Sequence, residues 1–423
     1  MNYLKELKNI TKKDEIYLVG GSIRDYLLKR TIKDIDLIVF NGIKEIVYDF
    51  AEKIDKKVIL LDKERNIFRI VVNENIFLDF SSPVSQDLYE DLGYRDFTIN
   101  SMAVKLDKID IFSNQIQIKE ADIIDPFCGR EDLDNKVIRV VKNTAIKKDP
   151  LRMIRAFRFA NNLGFEIDSK TKSIIDENIN LIKKVKVERI KEELIKIFNY
   201  KINIEVIREF FKTEIIQNIF DINFDISNKK TIQIVNSLAC IKNNNYIHKL
   251  DTQKYIFVLV IIFLDSLINN EKDIKSIKET LLTYTFSKND VIIVKDYLYV
   301  LNELINRRFD YINDNELIYD KLFLDEVNYQ DIKYIIKCYD LKEYKKTTEI
   351  DKIIEKLILM IERTKDKIVD GYMVMELLNI KSGKKVGEIL RTIKKKRALG
   401  ILKNKEEIIH YIKSISIDNK NNQ

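Results

Sequence analysis

Two short stretches near the start of the chain hold residue types suited to phosphate chemistry. In LVGGSIRD, the paired glycines Gly20 and Gly21 follow an apolar run and precede Arg24. A strand feeding such a turn into a helix start presents backbone N–H groups and the positive end of the helix dipole. The glycines let the backbone approach closely, and Arg24 adds a charged clamp. In KDIDLIV, Asp34 and Asp36 stand two apart, so on a strand their side chains share one face. Two carboxylates converging there suit an Mg²⁺ ion that also takes phosphate oxygens. Either piece alone fits a glycine hairpin with a polar strand edge equally well, so the surrounding elements must decide.

A second constellation lies farther along, in KDPLRMIRAFRFANNLG. After Asp149, Arg152, Arg155 and Arg158 follow at three-residue steps and so lie near one helix face. Leu151, Ile154, Phe157 and Phe159 occupy other positions and can anchor the helix in a core. An aspartate with an arginine three residues on offers acceptors and donors to a Watson–Crick edge. Cytosine and adenine each present an amino donor next to a ring acceptor, so one Asp149–Arg152 pair could serve both. Arg155 and Arg158 would then face a triphosphate. The competing reading is an amphipathic helix with a solvated arginine stripe. Arginine chosen three times in a lysine-preferring chain argues against it.

The elements that must position these residues fall into two styles. All three prolines and six of the ten glycines lie at or before residue 164, and none of either type occurs from Phe165 to Asp370. Turn-rich sequence with short apolar runs predicts strands and loops, and a long stretch without breakers predicts helices. EIYLVGG, DIDLIVF, KKVILLD, IFRIVV and NIFLDFS read as strands, with SIRDYLLKR and KEIVYDFAEKI as helices. That is a mixed α/β domain with a sheet of four or five strands, continued by SMAVKL and ADIIDPF to about residue 140. Helical periodicity then dominates. Asp149 is a candidate N-cap, Pro150 the first helical residue, and Gly164 the stop. ERIKEELIKIF and IEVIREFFK continue the pattern. Glycine returns only in DGYMVMELLNIKSGKKVGEILRTIKKKRALG, which predicts a small tail domain, and the final SIDNKNNQ should fray.

In that strand–turn–helix–strand context the first two motifs resemble the head of the polymerase-β nucleotidyltransferase superfamily. More narrowly, the chain is similar to the bacterial class II tRNA nucleotidyltransferase and poly(A) polymerase family. DLGYRDFTINSMAV resembles its motif B, which implies that Arg95, Asp96 and Asn100 hold ribose and phosphates. DPFCGREDL resembles the turn linking head to neck, KDPLRMIRAFRFANNLGFEID the base-reading motif, and ERIKEELIKI the element supporting that helix. The resemblance implies an α/β head with a polymerase-β-like mixed sheet over 1–140, then an all-α neck (141–205), body (206–365) and tail (366–423). It implies transfer of CMP and AMP from CTP and ATP to the 3′ end of tRNA without a nucleic-acid template, with Asp34 and Asp36 holding Mg²⁺. Gly20, Gly21, Arg24, Arg155 and Arg158 would bind phosphates, Asp149 and Arg152 would select the base, and Asp79 is a candidate third carboxylate or else a cap for the following turn. Addition of cytidines alone and poly(A) synthesis are the alternatives. Only fifteen residues separate Asp79 from Arg95, none of them basic, where full CCA-adding relatives often carry a longer arginine-containing loop. Three positions depart from the family pattern: Lys148 replaces an acid, Tyr94 an arginine, and Cys128 a second glycine, read here as a small filler in a tight turn.

Composition fits this reading. A chain of 423 residues, 45% hydrophobic and 33% charged, is globular and long enough for several domains. The longest apolar run, Ile256 to Leu264, is too short to cross a bilayer, and the charged first residues lack a signal-peptide core. Cys128, Cys240 and Cys338 are too scattered for a disulfide framework, and His248 and His410 alone exclude a histidine-rich metal centre. A soluble cytoplasmic protein is expected. The net charge of +7 leans weakly toward an anionic partner such as tRNA.

Overall fold

Short apolar runs alternating with Gly and Asn turns build one mixed sheet. A computed structural model of the chain describes residues 2–11, 15–112, 115–199, 202–222, 254–268, 270, 272–306, 313–338 and 347–418. The chain divides into two compact units, Met1–Asp221 and Ile222–Gln423. In the first, β1 (Ile16–Val19), β2 (Asp34–Val39), β3 (Val58–Asp62), β4 (Ile67–Asn73), β5 (Ile76–Ser81) and β6 (Ala103–Lys105) pair in the order β3-β4-β5-β2-β1-β6. The sheet has six strands, more than the four or five expected, because the AVK of SMAVKL pairs antiparallel with β1. ADIIDPF adds no strand: it joins the sheet through a single bridge between Ile124 and Ala103, and Ile124 and Phe127 pack against the cluster of Val19, Ile38 and Ala103.

Helix α1 (Asn2–Ile10) precedes the sheet, and α2 (Gly21–Leu27) joins β1 to β2. Helix α3 (Ile43–Lys53) buries Ile43, Ile46, Val47 and Phe50, a three- and four-residue spacing that lays one face on the core. There the Phe50 ring packs 6.1 Å from that of Phe80 in β5. Within this six-stranded sheet only β2 and β5 pair in parallel, and their register sets Asp36 beside Asp79. That register decides where the carboxylates meet.

From Leu88 on helices dominate, but Asp110–Phe112 pairs with Gln115–Gln117, and Val137–Ile138 pairs in parallel with Glu166–Ile167, which puts a short strand in the neck expected to be all helical. Helix α4 (Leu88–Leu92) is capped by Asp87, whose carboxylate accepts from Glu90 N at 3.0 Å. Helices α5 (Gly129–Asp134), α6 (Ala145–Lys148) and α7 (Arg152–Leu163) follow, and α8 (Ser169–Asn178), α9 (Val187–Asn199), α10 (Ile204–Lys212) and α11 (Ile215–Phe220) complete the unit. Gly164, at φ +74°, ends α7 as expected. The start differs: α7 begins at Arg152 rather than Pro150, because Asp149 is extended and its carboxylate accepts from Leu151 N at 3.3 Å. That bond closes a turn before the helix instead of capping its first residues. Phe157 of α7 meets Phe210 of α10 at 5.1 Å, and Phe210 meets Phe198 of α9 at 6.3 Å. The α10 and α11 segment, expected with the body, therefore packs in the first unit.

In the second unit every described element is a helix, as the absence of breakers predicts. Ile256 to Leu264 lies within the helix Lys254–Ile268 and is wholly buried. Among the described residues no helix is long and apolar enough to cross a membrane. Helices Gly371–Leu378, Lys384–Ala398 and Lys405–Asp418 enclose a core of their own, formed by Val374, Val386, Ile389, Ile393, Leu402, Ile408 and Ile412. Cys240, His248 and the last five residues lie outside the described residues.

Candidate active site

The Gly-Gly turn lies against the carboxylates. Gly20 takes φ +67°, and a Cβ there would stand 2.6 Å from Arg95 Nη1 and 3.4 Å from Asp36 Oδ2. A Cβ on Gly21 would stand 3.4 Å from Arg24 Nη2 and 3.6 Å from Asp36 Oδ2. Glycine is thus required twice: for the left-handed backbone at Gly20 and for the close passage of two guanidinium groups and a carboxylate. Ser22, buried in α2, pins the acidic strand. Its hydroxyl donates to Asp34 O at 3.1 Å and accepts from Asp36 N at 2.9 Å. The Gly20 N–H, expected among the phosphate donors, is instead spent on Met102 O at 3.2 Å.

Asp34 is exposed at the start of β2, and Asp36 is set deeper on the same face. Burial pushes the Asp36 carboxyl up to about 6; Arg95 works against that, while Asp79 and Asp34 add to it. Asp79 does not cap a turn. It stands beside Asp36 in β5, where Arg69 grips it as a fork, Nε at 2.7 Å and Nη2 at 2.6 Å. Among the described residues no three His, Cys, Asp or Glu side chains gather as a ready cation cage.

A second cluster is built on α7 and α9. Asp96, buried, accepts from Phe97 N at 2.8 Å, Asn100 Nδ2 at 3.0 Å and Arg155 Nε at 2.9 Å. Burial alone would raise its carboxyl, but Arg155 and these hydrogen bonds hold it well below the usual carboxylate range. Glu193 of α9, 3% exposed, sits 2.7 Å from Arg158 Nε, in an ion pair not aligned for a hydrogen bond, and 3.6 Å from Arg155 Nη1. Arg158 also covers the Phe159 ring at 4.1 Å. Arg155 and Arg158 are therefore already balanced by carboxylates, whereas their spacing in the sequence points them toward a triphosphate. Glu193 was missed, and its signal was present. It occupies the apolar stripe of α9 with Ile190, Leu194 and Ile197, where an acid needs a buried cation.

Asn100 bridges the two clusters, its Oδ1 accepting from Arg24 Nη1 at 2.8 Å while its amide donates to Asp96. Arg24 also pairs with Asp25 at 2.8 Å. Arg95 is the least engaged cation: its Nε is buried without a partner, and Nη1 reaches only Asn100 O at 3.5 Å. Asp149 and Arg152 are not paired with each other. Asp149 is held by Arg189 of α9 at 2.8 Å, and Arg152 donates to Tyr94 O at 2.5 Å and Arg95 O at 3.0 Å. Arg189 was also missed. Nothing in its spacing marks it, because its partner lies forty residues away in sequence.

Residues 16–139 match the family described as poly A polymerase head domain, and residues 164–222 match that described as a probable RNA and SrmB-binding site of polymerase A. A CCA-adding enzyme of Lactobacillus helveticus is 37% identical over 194 residues, covering 43% of this chain and 45% of that one. A CC-adding tRNA nucleotidyltransferase of Geobacter sulfurreducens is 36% identical, covering 43% of this chain and 40% of its own. The match thus spans less than half the length of either relative. A CCA-adding enzyme of Staphylococcus aureus is 28% identical over 94% of this chain and 93% of its own. The fold is that of the Thermotoga maritima CCA-adding enzyme solved in complex with tRNA, with a TM-score of 0.66, 23% identity, and coverage of 97% of this chain and 93% of that one.

Proposed function

We propose that this member of the tRNA nucleotidyltransferase and poly(A) polymerase family adds CMP and AMP, from CTP and ATP, to the 3′ end of tRNA and releases pyrophosphate. The observation that carries the reading is the Asp36 carboxylate, set against the Gly20–Gly21 turn beside Asp34 and Asp79 with its charge only partly offset by Arg95. A deep carboxylate with too little positive charge around it suits a cation, and hard oxygen donors favour Mg²⁺. Asp34 and Asp36 would hold that ion. When bound, it supplies charge neutralisation of the triphosphate and acidifies the terminal hydroxyl of the RNA.

The chain's own groups do the rest. The close-lying turn and Arg95 orient the triphosphate, so the 3′ oxygen attacks the α-phosphorus as the bond to pyrophosphate breaks. Asn100 and Asp96 fix the ribose side through the Arg24 and Arg155 links. Asp149 and Arg152, each steadied by a different neighbour, present an acceptor and donors to the base edge. Arg155 and Arg158 act from behind as the charged scaffold of that helix. The tRNA backbone would be gripped chiefly through phosphates, so binding weakens as salt rises.

Addition of cytidines alone is a second reading, favoured by the segment after Asp79. Its fifteen residues are short and pinned: buried Asp91 accepts from Val84 N at 2.7 Å, and α4 fills the remainder. The test is product length on transcripts ending before CCA, with CTP alone, ATP alone, and both. Three added residues with both nucleotides support the full reaction, two support cytidine addition only, and a long adenosine ladder would favour poly(A) synthesis.

A further inference from the structure

Two of the positions at which the sequence departs from its family, 94 and 148, meet in space. The Lys148 ammonium lies 4.2 Å from the centroid of the Tyr94 ring, with Lys142 behind it at 5.7 Å. The Tyr94 hydroxyl donates to Glu90 of α4 at 3.2 Å, which fixes the ring at its far end. The main chain of the same residue is engaged as well. Its carbonyl accepts from Arg152 Nη2 at 2.5 Å, and the next carbonyl, Arg95 O, accepts from Nη1 at 3.0 Å. One residue therefore touches both halves of the base reader: Arg152 directly, and Asp149 through its covalent neighbour Lys148.

We infer that Tyr94 is a positioning residue for nucleotide choice, holding Arg152 by its carbonyl and the start of the Asp149 turn by its ring. The Arg152 guanidinium, bound to the main-chain carbonyls of Tyr94 and Arg95 and more loosely, at 3.4 Å, to that of Ala145, keeps its remaining N–H groups at a set angle. Where they point depends on how residues 94 and 95 are held. Asp149 is fixed at one end by Arg189 and at the other by the Lys148 anchor. The ring–ammonium contact also transmits the α4 segment, through Glu90, to the reader. The role rests on the proposed nucleotidyl transfer and extends it to how C and A are told from G and U.

The test is equilibrium binding of CTP, ATP, GTP and UTP to the full chain in the presence of Mg²⁺, without RNA, beside thermal melting. Tyr94→Ala should narrow the preference for CTP and ATP over GTP and UTP by about two- to fivefold, the range of one partly exposed cation–π contact. Tyr94→Phe, which keeps the ring, should retain most of it. Tyr94→Ala and Lys148→Ala combined should be no worse than Tyr94→Ala alone, since both remove one contact. A uniform loss for all four nucleotides, or strictly additive effects, would overturn the role of Tyr94. Selective binding that survives every variant would overturn it too. A wild-type protein that binds selectively but transfers nothing would strike the proposed reaction alone.

Discussion

Two aspartates in the first unit are driven in opposite directions, one by burial and the other by its partners. Asp36 lies beside two other acids, and burial pushes it up to about 6. Asp96 is buried more completely, yet Arg155, Asn100 and a backbone N–H hold it well below the ordinary range. Both groups have lost water; only one has been repaid by its own chain. A buried carboxylate without full compensation costs stability unless something else brings the charge, and a compensated one can serve as scaffold. The contrast separates the residues that await a ligand from those that hold the shape around it. It also moves Arg155 and Arg158 from the first class, where their spacing alone puts them, into the second.

The largest expected effect tests the uncompensated side. Asp36→Asn or Asp34→Ala should lower nucleotide incorporation by about 10³-fold or more, because transition-state charge would lose its cation. Asp36→Asn should melt no lower than the parent, since it removes a costly charge. Near-normal incorporation of labelled CTP by either variant would break the comparison at its first term.

The compensated side should respond in stability first. Glu193→Gln leaves the half-buried Arg155 and Arg158 facing a buried neutral amide and should cost about 3 kcal/mol in urea unfolding. An unchanged midpoint would show that the arginines find water instead, and that the cluster is no scaffold.

The titrations sharpen the same contrast. A carboxyl raised in the folded state favours folding when protonated, so the Asp36 contribution is most favourable below the ordinary range near 3.8 and is lost as pH rises toward about 6. Above that the cost is roughly 3 kcal/mol without a cation. Asp96 works the other way: its contribution is present above the ordinary range and lost only as pH falls below it. Unfolding at pH 4 and pH 7 should therefore show Asp36→Asn gaining on the parent at the higher pH and matching it at the lower. Added Mg²⁺ should close that gap at pH 7, and its affinity should fall as pH drops below about 6.

Much of this site is legible in the order of the residues. The Gly20–Gly21 turn, the Asp34–Asp36 strand and the end of α7 at Gly164 follow from local rules, in which a glycine or a two-residue period has one physical meaning. What stays hidden is non-local. Two of the three carbonyls that hold Arg152 lie 57 and 58 residues away, and the Lys148–Tyr94 contact crosses 54 positions. No periodicity encodes such pairs. Gly20 shows the limit on the local side too: its N–H is legible as a donor, but the β6 segment that consumes it is not.

The smallest prediction concerns the turn beneath the compensated cluster, where two neighbouring residues make opposite demands. Cys128 is exposed and sits at φ +57°, so it fills no space and strains its backbone, contrary to its reading as a filler. Gly129 has an ordinary backbone but no room: a Cβ there would meet Thr98 O at 2.3 Å, in the turn that carries Asn100. That turn cannot yield without disturbing the Asn100 links to Arg24 and Asp96. Gly129→Ala should therefore destabilise by about 2 kcal/mol and lower transfer, an overpacking cost reaching the site. Cys128→Gly should do the reverse and stabilise by about 0.5 kcal/mol, the relief of a left-handed residue less the entropy glycine adds to the unfolded chain. Its transfer rate should not change, because nothing in the cluster touches the thiol. A destabilised Cys128→Gly would mean that the side chain contributes a contact worth more than the strain, and the turn would then join the scaffold through both residues rather than one.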